Sequence, residues 1–263
     1  MSTGTATTRR RSGSGRPSPP PPERCFALGL GITTPPRSGS NCSSECITAP
    51  YTDAAAFVPR DDLWVYAASV TVLVFVALVA CVHHAVAPSH RVFSQVALSF
   101  AVIAAAAAVL DHAVQLAVLQ PALLRGELDG VSLWSMYNPH GAFIAFENTA
   151  DLLMAVSFVF LAASLPKVGG VVRGARVVLV AAGAVVVVSS VALAVQYGRD
   201  LDYRFEVLAI GVDWLALIVA GTLLAVGFRK GVIGHAWARP SDARPARPAG
   251  SHSRSSRPPR STA

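Results

Sequence analysis

The sequence predicts an all-α fold: an integral membrane bundle of five transmembrane helices with disordered N- and C-terminal tails. Only 14% of its 263 residues are charged and 52% are hydrophobic, whereas an ordinary soluble domain is about 25% charged. Five apolar segments approach the roughly 20 residues that a helix needs to cross the hydrocarbon core of a bilayer. Both ends of the chain are instead rich in Pro, Ser, Gly and Arg, and such segments cannot bury enough apolar surface to offset their ordering entropy.

These compositions divide the chain into three regions. We expect a disordered Pro/Ser/Arg-rich arm at 1–58, a transmembrane domain at 59–228 and a basic disordered tail at 229–263. The apolar patch of the arm, FALGLGI, is too short and too glycine-rich for a secretory signal peptide. Although the net charge is +7, most basic residues lie in the tails and in short loops. We therefore expect no nucleic-acid partner, and a C-terminal tail that lies against anionic lipid headgroups.

The apolar segments are 62–84, 92–119, 142–164, 175–197 and 205–228. Backbone groups inside lipid must be hydrogen-bonded within their own segment, so each segment is predicted to be a helix. This holds even for the fourth segment, although its many valines favour strands in other settings.

The distribution of basic residues predicts the orientation in the membrane, because Lys and Arg accumulate in cytoplasmic loops close to the membrane. With the N-terminus outside, the outer side holds Arg60, Arg125, Arg199 and Arg204. The inner side holds a larger set: Arg91, Lys167, Arg173, Arg176, Arg229, Lys230, Arg239, Arg244 and Arg247. The chain is therefore predicted to lie in the cell membrane with its N-terminus outside and its C-terminus in the cytoplasm.

The four cysteines do not suggest a zinc site, which needs four ligands in closed geometry. Cys42 and Cys46 lie close together without a second Cys or His pair nearby. They either form a disulfide, if that segment is extracellular, or remain unpaired in the arm. Cys81 lies in an apolar run and is expected to be a small packing residue.

The longest connection, 120–141, lies on the predicted outer side and begins near Pro121. We expect Asp129 to cap a short helix at the membrane interface, where Trp134 and Tyr137 are typical residues. Asn138 followed by Pro139 predicts the start of the third helix, with Asn as the N-cap and Pro at the first helical position.

Ionisable residues interrupt the apolar face of the third helix. At about 100° per residue, His140, Glu147 and Asp151 fall on one stripe about 40° wide. The helical rise places Asp151 roughly 14 Å below the start of the segment, near the middle of a bilayer.

Two other helices repeat this pattern. In the fifth, Glu206 lies seven residues before Asp213 and shares its stripe. In the second, Asp111 and His112 lie near the outer end. Because the second helix leaves and the third and fifth enter on the outer side, all three polar stripes are predicted to lie in the outer half of the membrane.

We therefore predict one outward-facing site that binds a proton, a cation or a small ligand. Its residues are Asp111, His112, Glu147, Asp151 and Asp213, with His140 at the mouth. Carboxylates without a nearby Lys or Arg cannot all stay ionised in low dielectric, so they must be protonated, face water or bind a cation. The alternative is that these side chains only join the helices by hydrogen bonds, at about 0.6 kcal/mol per contact.

The sequence contains none of the enzyme motifs that would indicate an activity. The sequence has no Walker loop, no GxSxG and no HExxH, and His83 or His84 would lie at a different membrane depth from His112, which disfavours paired haem ligation. We assign no catalytic, cofactor-binding or metal-binding residue.

Residues 110–160 resemble a family of small bacterial multi-pass integral-membrane proteins that has no established activity. The resemblance rests on a Q/P helix end, an L-x-x-G-E-x-x-G loop, a Y-N-P-H-G turn and an acid a few residues later. The matching positions are Gln120, Pro121, Gly126, Glu127, Gly130, Tyr137, Asn138, Pro139, His140, Gly141 and Glu147. The resemblance implies a multi-pass membrane fold, and it marks this loop and the start of the third helix as the characteristic part.

The sequence is compatible with three functions. The leading one is a membrane protein that binds or transports a proton, cation or small ligand; since five helices are few for alternating access, transport would require a homodimer. The second is an intramembrane metal-dependent enzyme, in which acids and His112 or His140 hold a divalent cation. The third is a non-enzymatic accessory or assembly protein whose tails bind partners.

Overall fold

The computed structural model of the protein describes residues 37–39, 42, 45–167 and 169–233. All regular structure within these ranges is helical. The α-helices are α1 Leu63–Ala85, α2 Arg91–Val114, α3 Gln120–Arg125, α4 Val131–Trp134, α5 Ala142–Ser164, α6 Gly170–Tyr197 and α7 Arg204–Arg229. The predicted disorder of residues 1–36 and 234–263 lies outside the described part of the chain.

Five helical stretches are long and apolar enough to cross a membrane, by length and composition. They are α1, α2 continued by α3, α5, α6 and α7. The prediction of an all-helical fold with five such helices is confirmed.

The second long helix does not end where the sequence predicted. It passes through a π-helical turn at Gln115–Leu119 and continues as α3 to Arg125. In this turn the Gln120 N–H bonds to the Gln115 carbonyl, five residues back. The widened turn takes up the clash that the Pro121 ring would otherwise make with the preceding turn, so proline does not stop the helix here.

The predicted start of the third helix was wrong by three residues, because α5 begins at Ala142 rather than Pro139. Asn138 instead organises a tight turn: its Oδ1 accepts from the His140 N–H at 3.0 Å, and its carbonyl accepts from the Gly141 N–H at 2.9 Å. Asn favours such turns because its side chain can bond to the backbone two residues on. A Cβ at Gly141 would lie 2.9 Å from the Leu133 carbonyl oxygen, so this turn packs directly against α4.

The short helix α4 is present as predicted, but Asp129 does not cap it. Gly130, at φ 79°, occupies the N-cap position without a side-chain hydrogen bond.

Helix α5 is the centre of the bundle. It packs against α2, α6 and α7, while α1 packs against α2, and α6 against α7. In the most apolar stretch of α5, 50% of the residues are buried inside the bundle, compared with 33% or less in the corresponding stretch of each other long helix. Four polar side chains on α5 are accordingly buried: Glu147, Asp151, Ser157 and Ser164.

The N-terminal segment differs from the prediction of a disordered arm up to residue 58. Within residues 45–58, Ile47 is 3% exposed and Ala54 is fully buried. They join an apolar cluster at one end of the bundle whose other members are Leu119, Leu123, Val131, Met136, Tyr137, Phe143, Ile144 and Tyr203. We call the described residues of 37–58, the 126–141 connection and the 198–203 turn the cap. The stretch ITAPYTDAAAFV is far more apolar than the arm as a whole. The prediction of disorder rested on the average composition of the arm, which does not reflect this stretch.

The three described cysteines comprise one disulfide and one free thiol. Cys42 and Cys46 form a disulfide within the cap, which decides between the two alternatives in favour of pairing. Cys81 is exposed on α1, so the expected packing role was wrong.

Close packing of α5 and α6 predicts the effect of a single methyl group. A Cβ at Gly183 would lie 2.6 Å from Val159 Cγ2 and 2.7 Å from the Ala155 carbonyl oxygen, so Gly183→Ala should destabilise the bundle by about 1–3 kcal/mol. Gly211→Ala on α7 is the matched control, because nothing lies within 4 Å of its Cβ position, and it should gain up to about 1 kcal/mol. Thermal unfolding of the purified protein, followed by circular dichroism, measures both; equal midpoints for the two variants would contradict the packing.

Candidate functional site: a buried carboxylate cluster

Three neighbouring helices bring carboxyl groups into the interior of the bundle. Asp111 comes from α2, Glu147 and Asp151 from α5, and Glu206 and Asp213 from α7. Asp213 is fully buried and Asp111 is 1% exposed, while Glu147 and Asp151 are also buried. The fold therefore places acids from all three predicted stripes in the interior of one bundle. We refer to these five acids as the carboxylate cluster.

Glu147 occupies the middle of the cluster. Its carboxyl group lies beside that of Glu206 and interacts electrostatically with Asp151 and Asp111. Asp151 interacts with Glu206 and, deeper in the bundle, with Asp213. Seven residues separate Glu206 from Asp213, which is roughly 10 Å along α7. The acids thus form a line that runs from the cap into the bundle.

The cluster is poorly supplied with hydrogen-bond donors. Within the described residues, no partner is present for either oxygen of Asp111 or Asp213, nor for one oxygen each of Glu147, Asp151 and Glu206. Buried polar side chains in folded proteins almost always have a partner. Glu147 and Glu206 share a hydrogen bond between α5 and α7, but the remaining oxygens are free among the described residues, and the cluster is suited to hold protons, water or a cation.

His112 connects α1 to the cluster. Its Nε2 lies 3.6 Å from Glu147 Oε1, and its Nδ1 lies 2.9 Å from Ser69 Oγ. The Ser69 hydroxyl donates its proton to the Val65 carbonyl, so Ser69 Oγ accepts from Nδ1–H of the ring. Nε2 of a neutral ring then presents a lone pair to Glu147. A proton on either Nε2 or the Glu147 carboxyl makes this contact favourable.

A small cavity adjoins the acids. It has a volume of about 30 Å³, and its walls include His112, Glu147 and Asp151 together with the indole rings of Trp64 and Trp214. One water needs roughly 10–15 Å³ by this measure. The cavity accommodates about two waters or one small cation, and it is too small for an organic metabolite.

Two residues differ from their predicted roles. His140 is exposed and lies outside the cluster, with Nε2 3.7 Å from Asp202 Oδ1, because it belongs to the turn and not to the helical stripe of α5. Glu206 lies within the cluster but was left out of the predicted site. Its seven-residue spacing from Asp213 was the signal in the sequence that identifies it.

The cap closes the end of the bundle nearest the cluster through a charged network. The Arg37 guanidinium is buried and donates to both Asp61 and Glu45. The hydrogen bond to Asp61 raises the pKa of Arg37 above its usual value. The guanidinium also lies 4.0 Å from the centre of the Phe57 ring, and Asp61 accepts a second bond from the Tyr137 hydroxyl at 3.1 Å. Every charge in this network has an opposite charge beside it, unlike the cluster.

Further hydrogen bonds join the three parts of the cap. The Ser38 hydroxyl donates to the Tyr137 carbonyl and lies 2.7 Å from the Tyr203 hydroxyl. Tyr203 in turn donates to the Met136 carbonyl at 3.2 Å. These bonds tie the N-terminal segment to both connections. Burial raises the pKa of both Tyr137 and Tyr203 above the ordinary value.

The described residues offer no arrangement of three or more His, Cys, Asp or Glu side chains suited to a metal ion. No protein-family model matches this chain, and neither a curated protein nor a solved structure does.

The buried tyrosines predict that the cap weakens in alkali. An unfolded tyrosine ionises near pH 10, whereas Tyr137 and Tyr203 keep their protons to higher pH in the fold. Their contribution to stability is therefore complete below about pH 10 and is lost as the pH rises above it. The melting temperature of the wild-type protein should fall above pH 10, and the fall should be shallower in the Tyr137→Phe/Tyr203→Phe double variant.

Thermal unfolding across a pH series measures this effect, with tyrosinate absorbance recorded in parallel. Tyr66→Phe is the control, because Tyr66 is 56% exposed and its replacement should leave the slope unchanged. An equally steep fall in the double variant would show that other groups cause the alkaline loss.

Proposed function

We propose that the protein is a multi-pass cell-membrane protein that binds a proton or a small cation at the carboxylate cluster. The observation that carries this proposal is the set of buried carboxyl oxygens without partners among the described residues. The size of the adjoining cavity, about 30 Å³, favours a proton, water or a single ion over the small organic ligand that the sequence left open. Transport of the bound ion by a homodimer is the fuller form of the proposal.

Electrostatics explains why the cluster needs a positive partner. Moving one carboxylate from water into a low-dielectric interior costs several kcal/mol even after relaxation. Five neighbouring acids add mutual repulsion, and none has a Lys or Arg ion-pair partner within the described residues. Protons or a cation remove this cost, and a group of acids that exchanges them is suited to uptake and release.

Two observations support an orientation with the N-terminus outside and the C-terminus in the cytoplasm. The cap contains the Cys42–Cys46 disulfide, and disulfides persist in oxidising compartments outside the cytoplasm. The opposite end of the bundle contains Arg91, Lys167, Arg173, Arg176, Arg229 and Lys230, in agreement with the accumulation of basic residues on the cytoplasmic side. In this orientation the carboxylate cluster lies in the outer half of the membrane.

The resemblance to small bacterial membrane proteins with a Y-N-P-H-G turn forms part of the same proposal. The turn ends at Gly141, where a side chain would meet the Leu133 carbonyl. This close approach sets the position at which α5 starts and hence the height of Glu147. The Y-N-P-H-G turn therefore helps to determine the depth at which Glu147 lies.

The other two functions have weaker support. A metal-dependent enzyme would need room for an organic substrate beside the ion, and the cavity next to the acids has a volume of only about 30 Å³. An accessory role through the tails concerns residues outside the described ranges.

A bound ion should stabilise the folded protein. A ligand at a hundred times its dissociation constant adds about 2.7 kcal/mol to the free energy of unfolding. We expect the melting temperature of the wild-type protein to rise with one of H⁺, Na⁺, K⁺, Mg²⁺ or Ca²⁺, each varied separately at constant ionic strength. Asp213→Asn should lose this dependence, and Glu127→Gln, an exposed acid in the connection, should retain it.

If the acids only join the helices, no metal cation will shift the melting temperature, its dependence on pH will be the same in the wild type and Asp213→Asn, and Asp213→Asn will be less stable than the wild type under every condition. That result would overturn the proposed binding site.

Transport is tested with the full-length protein in proteoliposomes. Uptake of the ion identified by thermal stabilisation is measured with an ion-selective fluorophore under an imposed gradient. Glu147→Gln and Asp151→Asn should abolish uptake, because both neutralise acids that line the cavity, whereas Glu127→Gln should transport normally. Uptake that is equal in the wild type, both variants and empty liposomes would exclude transport while leaving the binding result intact.

A further inference from the structure

The end of the bundle opposite the cap is basic, and the parts of the helices that form this end contain no Asp or Glu. No Asp or Glu occurs at 63–110, 152–199 or 214–233, so every described acid lies in the cap, the connections on that side or the cluster. The C-terminal ends of α1, α5 and α7 and the N-terminal ends of α2 and α6 meet at this opposite end. Within the described residues, the basic side chains here have no acidic neighbour to neutralise them.

Three of these cations share one groove at the start of α6. The groove is lined by Lys167, Arg173 and Arg176, and it continues along α6 over Val177, Val180, Ala181 and Ala184. Arg173 and Arg176 lie one turn apart in the first two turns of this 28-residue helix. The free N–H groups of a helix N-terminus favour an anion at this position.

One nitrogen of Arg176 lacks a hydrogen-bond partner in the described part of the chain. Its Nε atom is buried and has no hydrogen-bond acceptor among the described residues. In that part of the chain, Lys167 and Arg173 form no ion pair either. A guanidinium with a desolvated N–H is stabilised by an oxyanion, and Arg binds phosphate through two parallel hydrogen bonds.

We propose that this groove binds an anionic phospholipid. The phosphate accepts hydrogen bonds from Arg173 and Arg176 and pairs with Lys167, while an acyl chain follows the apolar part of the groove. The eight helical steps from Arg176 to Ala184 extend about 12 Å along the helix axis, and the small side chains of Ala181 and Ala184 leave this path open. A free phosphate ion would satisfy the cations but would leave the apolar path uncovered, so the groove favours a lipid.

Lipid binding is measured by native mass spectrometry of the full-length protein in detergent, titrated separately with phosphatidylglycerol and phosphatidylcholine. The wild type should bind phosphatidylglycerol in preference to phosphatidylcholine. The Arg173→Gln/Arg176→Gln double variant should bind phosphatidylglycerol roughly 30-fold more weakly. The Arg91→Gln/Arg229→Gln double variant removes the same charge from the same end outside the groove, and its affinity should be unchanged.

Two further arms distinguish a lipid site from diffuse surface charge and from a site for a free anion. Ala184→Phe fills the apolar path without changing the charge, so it should weaken lipid binding and leave the melting temperature unchanged. Inorganic phosphate at the same concentration should not displace the lipid.

Equal losses of lipid binding in the two double variants would show that diffuse surface charge attracts the lipid. Full displacement by phosphate would show that the groove binds a free anion. Either result overturns the proposal. The outcome is independent of the carboxylate cluster, which Asp213→Asn alters without touching this groove.

Discussion

The arrangement of this protein depends on the cost of placing carboxyl groups away from water. An ionised acid inside a low-dielectric bundle is unstable by several kcal/mol unless a positive charge lies beside it. Five acids from α2, α5 and α7 nevertheless meet around Glu147, and the fold concentrates them instead of dispersing them. The central position of α5 makes this possible, because it packs against both other acid-bearing helices. Each acid then shares whatever proton or cation neutralises its neighbour.

In the cap, buried charges are instead stabilised by opposite charges within the protein. Arg37 and Asp61 are as deeply buried as most of the cluster, but each lies beside its opposite charge and accepts or donates several hydrogen bonds. A fully paired network of this kind holds the N-terminal segment over the end of the bundle. The pairing leaves the cap with no need of an external ion, whereas the cluster beneath it has that need. The two groups of buried charges therefore differ in whether the protein itself supplies the opposite charge.

The distribution of charge along the bundle axis separates two surfaces. All described acids lie towards the cap, and the opposite end is exclusively basic. In the proposed orientation, this polarity places the basic end against an anionic cytoplasmic leaflet. It also leaves the start of α6 with three cations around one groove, which a lipid phosphate complements. The carboxylate cluster and the basic groove lie at different depths in the bundle, so the proposed ion binding at one and the proposed lipid binding at the other would not compete for space.

The sequence was sufficient to predict the five long helices and four of the five clustered acids, because hydrophobic length and helical periodicity are properties of single segments. It also placed Glu206 on the stripe of Asp213, although that residue was left out of the predicted site. Three features required the tertiary structure. The helix continues past Pro121 because a π-helical turn absorbs the proline; His140 belongs to a turn because Asn138 bonds to its backbone; and residues 45–58 are ordered because distant connections cover Ile47 and Ala54. Each of these depends on contacts between residues far apart in the chain or on competition between alternative hydrogen bonds, and neither can be judged from periodicity or composition.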